Sequence, residues 1–233
     1  MGGVPRKESI PSPVIEVAAG VDPELVWQNE LGGRTFRIGD RFVKWNPHST
    51  GIDLRRERDH LRWLSGRHRV PEMIDFGSDG TSQWLVSAAL HGESAIANRW
   101  RADADAALRA IASGLRAIHA TDIREFPASL SAASWATRTP ERLGERPEVQ
   151  GRVLVHGDAC APNTLIGADG SFVGHVDLVD LAVGDRWADL AVASMSLDWN
   201  YGEGYQEAFF AAYGIDPDPV RLAYYRSLWH LES

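Results

Sequence analysis

Residues 153–190 read VLVHGDACAPNTLIGADGSFVGHVDLVDLAVGDRWADL, and the rest of the chain is organised around them. Val153-Leu154-Val155 is a short apolar strand running into His156-Gly157-Asp158, and four residues separate Asp158 from Asn163. Two further strands, 164–166 and 172–176, flank Ala168-Asp169-Gly170, where Asp-Gly supplies the positive φ of a tight hairpin turn. The second of these strands ends at Asp177, and the chain then turns into a helix. Asp158, Asn163 and Asp177 are thereby expected at one edge of a hairpin, with side-chain oxygens suited to a divalent metal.

A lone His-X-Asp carries little information. The ordered set His156, Asp158, Asn163 and Asp177 carries more, because phosphoryl transfer needs this inventory. One carboxylate orients or deprotonates the attacking hydroxyl. An amide and a second carboxylate hold the magnesium that bridges nucleotide phosphates. The spacing H-x-D-x-x-x-x-N is that of the protein-kinase catalytic loop, with Gly157 in place of that loop's arginine. The bland alternative is that Asp158 and Asn163 cap turns and His156 is a hydrogen-bonded core residue.

The same chemistry demands a lysine and a glutamate upstream. Residues 25–27, 35–38 and 41–45 read as an antiparallel meander, with Gly32-Gly33 in its first loop. Residues 52–64 follow at helical spacing, and 71–76 and 83–89 bracket a second hairpin at Gly77-Ser78-Asp79-Gly80. Lys44 lies in the apolar run Phe42-Val43-Lys44-Trp45, and Glu57 lies on the next helix. A Lys44–Glu57 pair would present the ammonium to the α- and β-phosphates. An edge-strand lysine in solvent is the competing reading of Lys44. Gly32 and Gly33 would let backbone amides approach phosphate, or they form an ordinary turn. Leu90-His91-Gly92 reads as a hinge, 102–120 as a long amphipathic helix, and 121–150 as polar, Pro-interrupted chain without a clear element. Helices are expected at 187–197, 205–213 and 219–231. Strands first and helices later make an α+β protein of two lobes, divided into a loose lead-in 1–13, an N-lobe 14–90 and a mainly helical C-lobe 91–233.

Composition bounds the function. The 233 residues suffice for one large domain or two small lobes, and 44% hydrophobic with 24% charged residues is ordinary for a globular chain. A net charge of −8 argues against a nucleic-acid binder and suits a cationic small molecule. One cysteine, Cys160, leaves no internal disulfide and no cysteine-based zinc site. Neither a signal peptide nor a membrane-spanning run is recognisable, so the expectation is a cytoplasmic protein; a monomer is the default, and the sequence does not fix the oligomeric state.

HGDACAPNTLI followed by HVDLVDLAVGDRWADLA resembles the catalytic and metal segments of the aminoglycoside phosphotransferase family, most closely its 3′-phosphotransferase branch. The resemblance runs from about Trp27 to Trp229. It implies a protein-kinase-like fold, with a small β-rich N-lobe and a larger helical C-lobe. It also implies transfer of the γ-phosphoryl of ATP or GTP, with Mg2+, to a hydroxyl of a small-molecule substrate. Carried over by position, Asp158 is the catalytic base, and Asn163 and Asp177 are the magnesium ligands. Lys44 and Glu57 are the phosphate-positioning pair, and Ser87 and Ala89 offer hinge backbone groups to the purine. His156, Asp185 and Asp189 match positions that brace the loop. Three departures fall on the acceptor side. The segment 121–150 is shorter than in the drug-modifying members, and Asp177-Leu178-Val179-Asp180 replaces the usual residues after the metal aspartate. Trp229 and His230 stand where relatives place an acidic pair. A kinase for another hydroxylated metabolite or antibiotic, or a nucleotide-binding protein without phosphotransfer, are the alternatives.

Overall fold

The structure is a computed structural model and describes residues 9–232. The chain divides into two compact units, the first made of residues 1–58 and 72–89 and the second of 59–71 and 90–233. The expected lead-in lies mostly outside the described residues, but its end does not remain loose. Ser12–Ala18 forms helix α1, with a proline in its first turn, and Ala19 in the left-handed region closes it.

The first unit is a five-stranded antiparallel sheet, β1 (Glu24–Gln28), β2 (Arg34–Ile38), β3 (Arg41–Pro47), β4 (Met73–Ser78) and β5 (Ser82–Ala88), in the order β1-β2-β3-β5-β4. Alternation places Phe36 and Ile38 of β2 and Val43 of β3 on one face with Val86 of β5. Helix α1 covers that face with Val14 and Ala18. Burying Val14 completely contributes roughly 1.5–3 kcal/mol, which explains why so short a helix persists. Lys44 is opposite Leu85 in the β3–β5 register, so its strand is central and not an edge. Helix α2 (Leu54–Leu64) begins two residues later than its periodicity suggests, because Gln83 Oε1 accepts the Leu54 N–H.

The chain passes into the second unit after Ala89. There β6 (Glu93–Ser94), β8 (Thr164–Ile166) and β9 (Phe172–His175) form a three-stranded sheet. β7 (Arg152–Val155) pairs with β10 (Ala182–Asp185), a strand that sequence reading took as part of the approach to a helix. The expected helix 102–120 is two elements, α3 (Asn98–Ala102) and α4 (Ala104–His119), broken at Asp103. Asp103 stands outside helical geometry and accepts the Ala106 N–H at 3.1 Å, so it caps α4 and cannot continue α3. Leu108, Ile111, Leu115 and Ile118 form the buried face of α4. Gly114 lets that face approach β9, since a Cβ there would stand 2.7 Å from the Phe172 ring.

Helix α5 (Ala128–Ser131) is the only α-helix in the segment 121–150 among the described residues. Helices α6 (Trp187–Tyr201), α7 (Gln206–Tyr213) and α8 (Pro219–Glu232) complete the unit. Residues 187–197 of α6 are buried on every side, so this helix is an internal strut. No helix among the described residues is long and apolar enough to cross a membrane.

Candidate active site

Strand β7 delivers His156-Gly157-Asp158 from the core of the second unit. Gly157 has φ +82°, and a Cβ there would lie 2.1 Å from the Asp180 carbonyl oxygen. The close crossing of these two segments therefore requires glycine, which accounts for Gly157 where the kinase loop has arginine. After Asp158 the chain makes a 3-10 turn, Ala161–Asn163, and enters β8.

Asn163 Nδ2 donates to Asp158 Oδ2 at 2.9 Å and to the Asp158 carbonyl at 3.0 Å. One carboxylate oxygen is thus fixed. The other, Oδ1, is buried and has no hydrogen-bond partner among the described residues. An ionised carboxylate only accepts, so Oδ1 is an acceptor awaiting a donor. The Val176 N–H donates to the Asn163 carbonyl at 3.0 Å, which brings the chain just before Asp177 against Asn163. Cys160 reports the same convergence. Burial, then the negative charges of Asp158 and Asp177, push its thiol far above the ordinary range.

Two histidines and one aspartate hold this loop. His156 Nδ1 accepts the Asp158 N–H at 3.2 Å, so Nε2 carries the proton and donates to the Val176 carbonyl at 3.0 Å. Asp189, completely buried in the first turn of α6, accepts the His156 N–H at 2.7 Å and the Gly157 N–H at 2.9 Å. A carboxylate at a helix N-terminus also gains from the helix dipole. His119 Nε2 donates to Asp189 Oδ2 at 3.0 Å, and its Nδ1 accepts the Tyr213 hydroxyl at 2.8 Å. Asp185 has a different local task. Its Oδ1 accepts the Trp187 N–H at 3.1 Å at the start of α6, and burial raises its pKa above the ordinary value.

Sequence reading missed much of the scaffold. The Trp135 indole N–H donates to the Gly157 carbonyl, and Ser134 Oγ donates to the Asp180 carbonyl at 2.7 Å. Ser196 Oγ accepts the Ala161 N–H at 2.8 Å, and Ser94 Oγ donates to the Pro162 carbonyl at 2.9 Å. None of these side chains belongs to a motif, and the serines carry no periodic signal.

In the first unit, Lys44 Nζ lies 2.7 and 2.8 Å from the two Glu57 carboxylate oxygens. Glu57 is buried in the first turn of α2 and Lys44 is partly exposed, so the glutamate holds the ammonium toward solvent. The Gly32-Gly33 loop differs from expectation. Asn29 Oδ1 accepts the Leu31 and Gly33 amides at 3.1 and 2.7 Å, and the Asn29 carbonyl accepts the Gly32 amide at 3.2 Å. The loop amides expected to meet phosphate are engaged by Asn29 itself, a local turn that satisfies them without a ligand. Gly33 is required for another reason, because a Cβ would fall 2.0 Å from Asn46 Oδ1.

The hinge expectation also changes. Ala89 donates its N–H to the Asp40 carbonyl at 2.7 Å, and Ser87 sits in the central strand opposite Phe42 and Met73. The Ala89 amide is therefore engaged within the unit, as are strand groups at Ser87.

Comparison with known proteins bears on the family and the fold. The profile of the phosphotransferase enzyme family matches residues 14–150 and 129–225. An aminoglycoside 3′-phosphotransferase of Niallia circulans is 30% identical, over 82% of this chain and 84% of its own. The streptomycin 3″-kinase of Streptomyces griseus is 29% identical, over 90% and 92%. An aminoglycoside phosphotransferase structure from Streptomyces rimosus superposes with a TM-score of 0.72 at 26% identity, over 94% of this chain and 95% of that one. The fold is thus protein-kinase-like, as the resemblance implied. By the extent of the profile match and the identity to these relatives, the chain belongs to the phosphotransferase enzyme family.

Proposed function

We propose that the protein transfers the γ-phosphoryl of ATP or GTP to a hydroxyl of an aminoglycoside, in the presence of Mg2+. The observation that carries this reading is the divided Asp158 carboxylate, with Oδ2 fixed by Asn163 and Oδ1 buried and unmatched. A substrate hydroxyl supplies the missing donor. Asp158 orients it and accepts its proton as the oxygen attacks the γ-phosphorus, the bond to the β,γ-bridging oxygen breaks and the nucleoside diphosphate leaves. Asn163 keeps the accepting oxygen aimed. Asp189 and His156 keep the loop from relaxing, so little reorganisation accompanies the transfer.

The donor set fits magnesium. Asn163 turns its nitrogen toward Asp158 and its amide oxygen the opposite way, and Asp177 adds a carboxylate, both hard oxygen donors. Asn163 and Asp177 would hold the magnesium, whose charge would offset that of the nucleotide phosphates. Lys44, restrained by Glu57, meets the remaining phosphate charge.

Relatives named as aminoglycoside phosphotransferases, and a Streptomyces rimosus relative solved with ADP and streptomycin, support the acceptor class. A second reading, another hydroxylated metabolite, is favoured by the acceptor-side residues. Exposed Trp199 packs against Trp229 with ring centroids 5.6 Å apart and planes tilted by 39°, where an aromatic surface replaces expected carboxylates. Nucleotide consumption measured over kanamycin, streptomycin, hygromycin B and neutral hydroxylated metabolites tests the choice. Product with an aminoglycoside alone supports the first reading, product with a neutral acceptor alone the second. No product with any acceptor contradicts both.

A further inference from the structure

His60 is a buried titratable group to which the account above assigns no task, and it is completely shielded from solvent. Burying an imidazole is costly unless its nitrogens find partners. Both ring nitrogens face carbonyl oxygens, Nδ1 that of Leu178 at 2.7 Å and Nε2 that of Leu130 at 3.1 Å; a neutral ring donates to one of them, and the shorter contact assigns the proton to Nδ1. These carbonyls are 118 and 70 residues away in sequence, so His60 ties three distant segments of the second unit at one point.

Its place beside Asp177 gives the contact meaning. Asp177 has φ +60°, one of two non-glycine residues with positive φ among those described. Such a conformation persists where the surroundings over-determine it. The surroundings here are a pair of imidazoles. His156 Nε2 donates to the carbonyl of Val176, immediately before Asp177, and His60 Nδ1 meets the carbonyl of Leu178, immediately after it. Downstream, Ser134 holds the Asp180 carbonyl. One histidine therefore holds the Val176–Asp177 peptide and the other holds the Leu178–Val179 peptide, one residue past the peptide that follows Asp177.

We propose that His60 is a positioning residue for divalent-cation binding, holding Asp177 in its left-handed conformation so that the carboxylate faces a nucleotide-bound magnesium ion. This rests on the proposed role of Asp177. Outer-shell partners of metal ligands influence affinity by about 10–100-fold when removed, and the lower end fits a contact made through the neighbouring carbonyl.

The test uses Mn2+ as a paramagnetic probe, titrated into the whole protein with a non-hydrolysable ATP analogue and read by electron paramagnetic resonance. His60→Leu removes both ring nitrogens and is expected to weaken Mn2+ binding about tenfold, with nucleotide affinity in EDTA unchanged. His60→Gln keeps one donor and is expected to recover most of the affinity; it also serves as the readable variant if His60→Leu does not fold. Wild-type Mn2+ affinity in folded His60→Leu, or a Gln variant as weak as Leu, overturns the positioning role. Absence of Mn2+-nucleotide binding in the wild type overturns the metal reading of Asp177 itself, and the two failures are thereby distinguished.

Discussion

Replacing Asp189 by asparagine is a sharp perturbation of the loop, because it keeps the volume and removes one acceptor. Asp189 accepts three hydrogen bonds, from the His156 and Gly157 amides and from His119 Nε2. An asparagine keeps its oxygen where two of these converge and turns Nδ2 toward the Gly157 N–H. Two buried donors then face each other, each costing about 1–3 kcal/mol when unmatched, and the surviving bonds lose their charge assistance. Partial relaxation leaves a net loss of about 3–5 kcal/mol, a large share of the 5–15 kcal/mol typical of a folded domain. At a urea slope of about 3 kcal/mol/M the midpoint falls by about 1–1.7 M. The same repulsion moves the peptide preceding Asp158, and a displacement near 1 Å is expected to lower kcat about 100-fold. Urea titration by circular dichroism, with nucleotide consumption on the same preparation, measures both. A midpoint and turnover equal to wild type would refute the assignment of Asp189 as the brace.

Three further outcomes are expected. Gly157→Ala combines a positive φ with a Cβ 2.1 Å from a carbonyl oxygen, whereas Gly214→Ala, in the left-handed region at φ +85°, meets nothing within 4 Å. The first is expected to cost at least 3 kcal/mol and the second about 1–2 kcal/mol by denaturant titration, and equal costs would deny the crossing its steric origin. Cys160 should resist iodoacetamide at pH 8 because burial and the Asp158 and Asp177 charges keep its thiol protonated, and Asp158→Asn should speed labelling measured by mass spectrometry. His68 donates to or accepts from His175 at 2.9 Å, and burial lowers its pKa to about 4. With the folded value depressed below the ordinary 6.5, the unfolded chain takes up the proton first, so this stability is intact above pH 6.5 and is lost as pH falls toward about 4. The melting temperature of His68→Gln should therefore depend less steeply on pH across that window; an identical slope would count against the buried neutral histidine.

How much was legible follows from what each residue has to do. Asp158, Asn163 and Asp177 were readable because a hairpin brings residues at fixed spacing together, and the Asn163–Asp158 contact is local in sequence. Lys44 and Glu57 were readable because a charge in an apolar strand needs a partner, and the next helix supplied one. The brace was not readable in the same way. His119, Trp135, Ser196 and His60 reach the loop or the segment around Asp177 only through tertiary packing, and a serine or histidine on a helix has no periodic signature of such a role. Strand β10 was hidden because Ala182-Val183-Gly184-Asp185 is stabilised by pairing with β7 more than by its own propensity. Gly32-Gly33 misled because glycine signals backbone freedom without stating its use, and here Asn29 engages the amides.

The central claim is that Asp158 Oδ1 receives the acceptor's proton, and Asp158→Asn tests it most directly. The substitution preserves size and keeps an oxygen for Asn163 to hold, but leaves the unmatched position without a basic acceptor. Phosphorylated product is measured with Mg2+, nucleotide and the best acceptor from the screen, beside the nucleotide Kd. The account predicts product formation lowered at least about 1000-fold, with nucleotide affinity within about threefold of wild type. Product formation at the wild-type rate by a folded Asp158→Asn protein would contradict it.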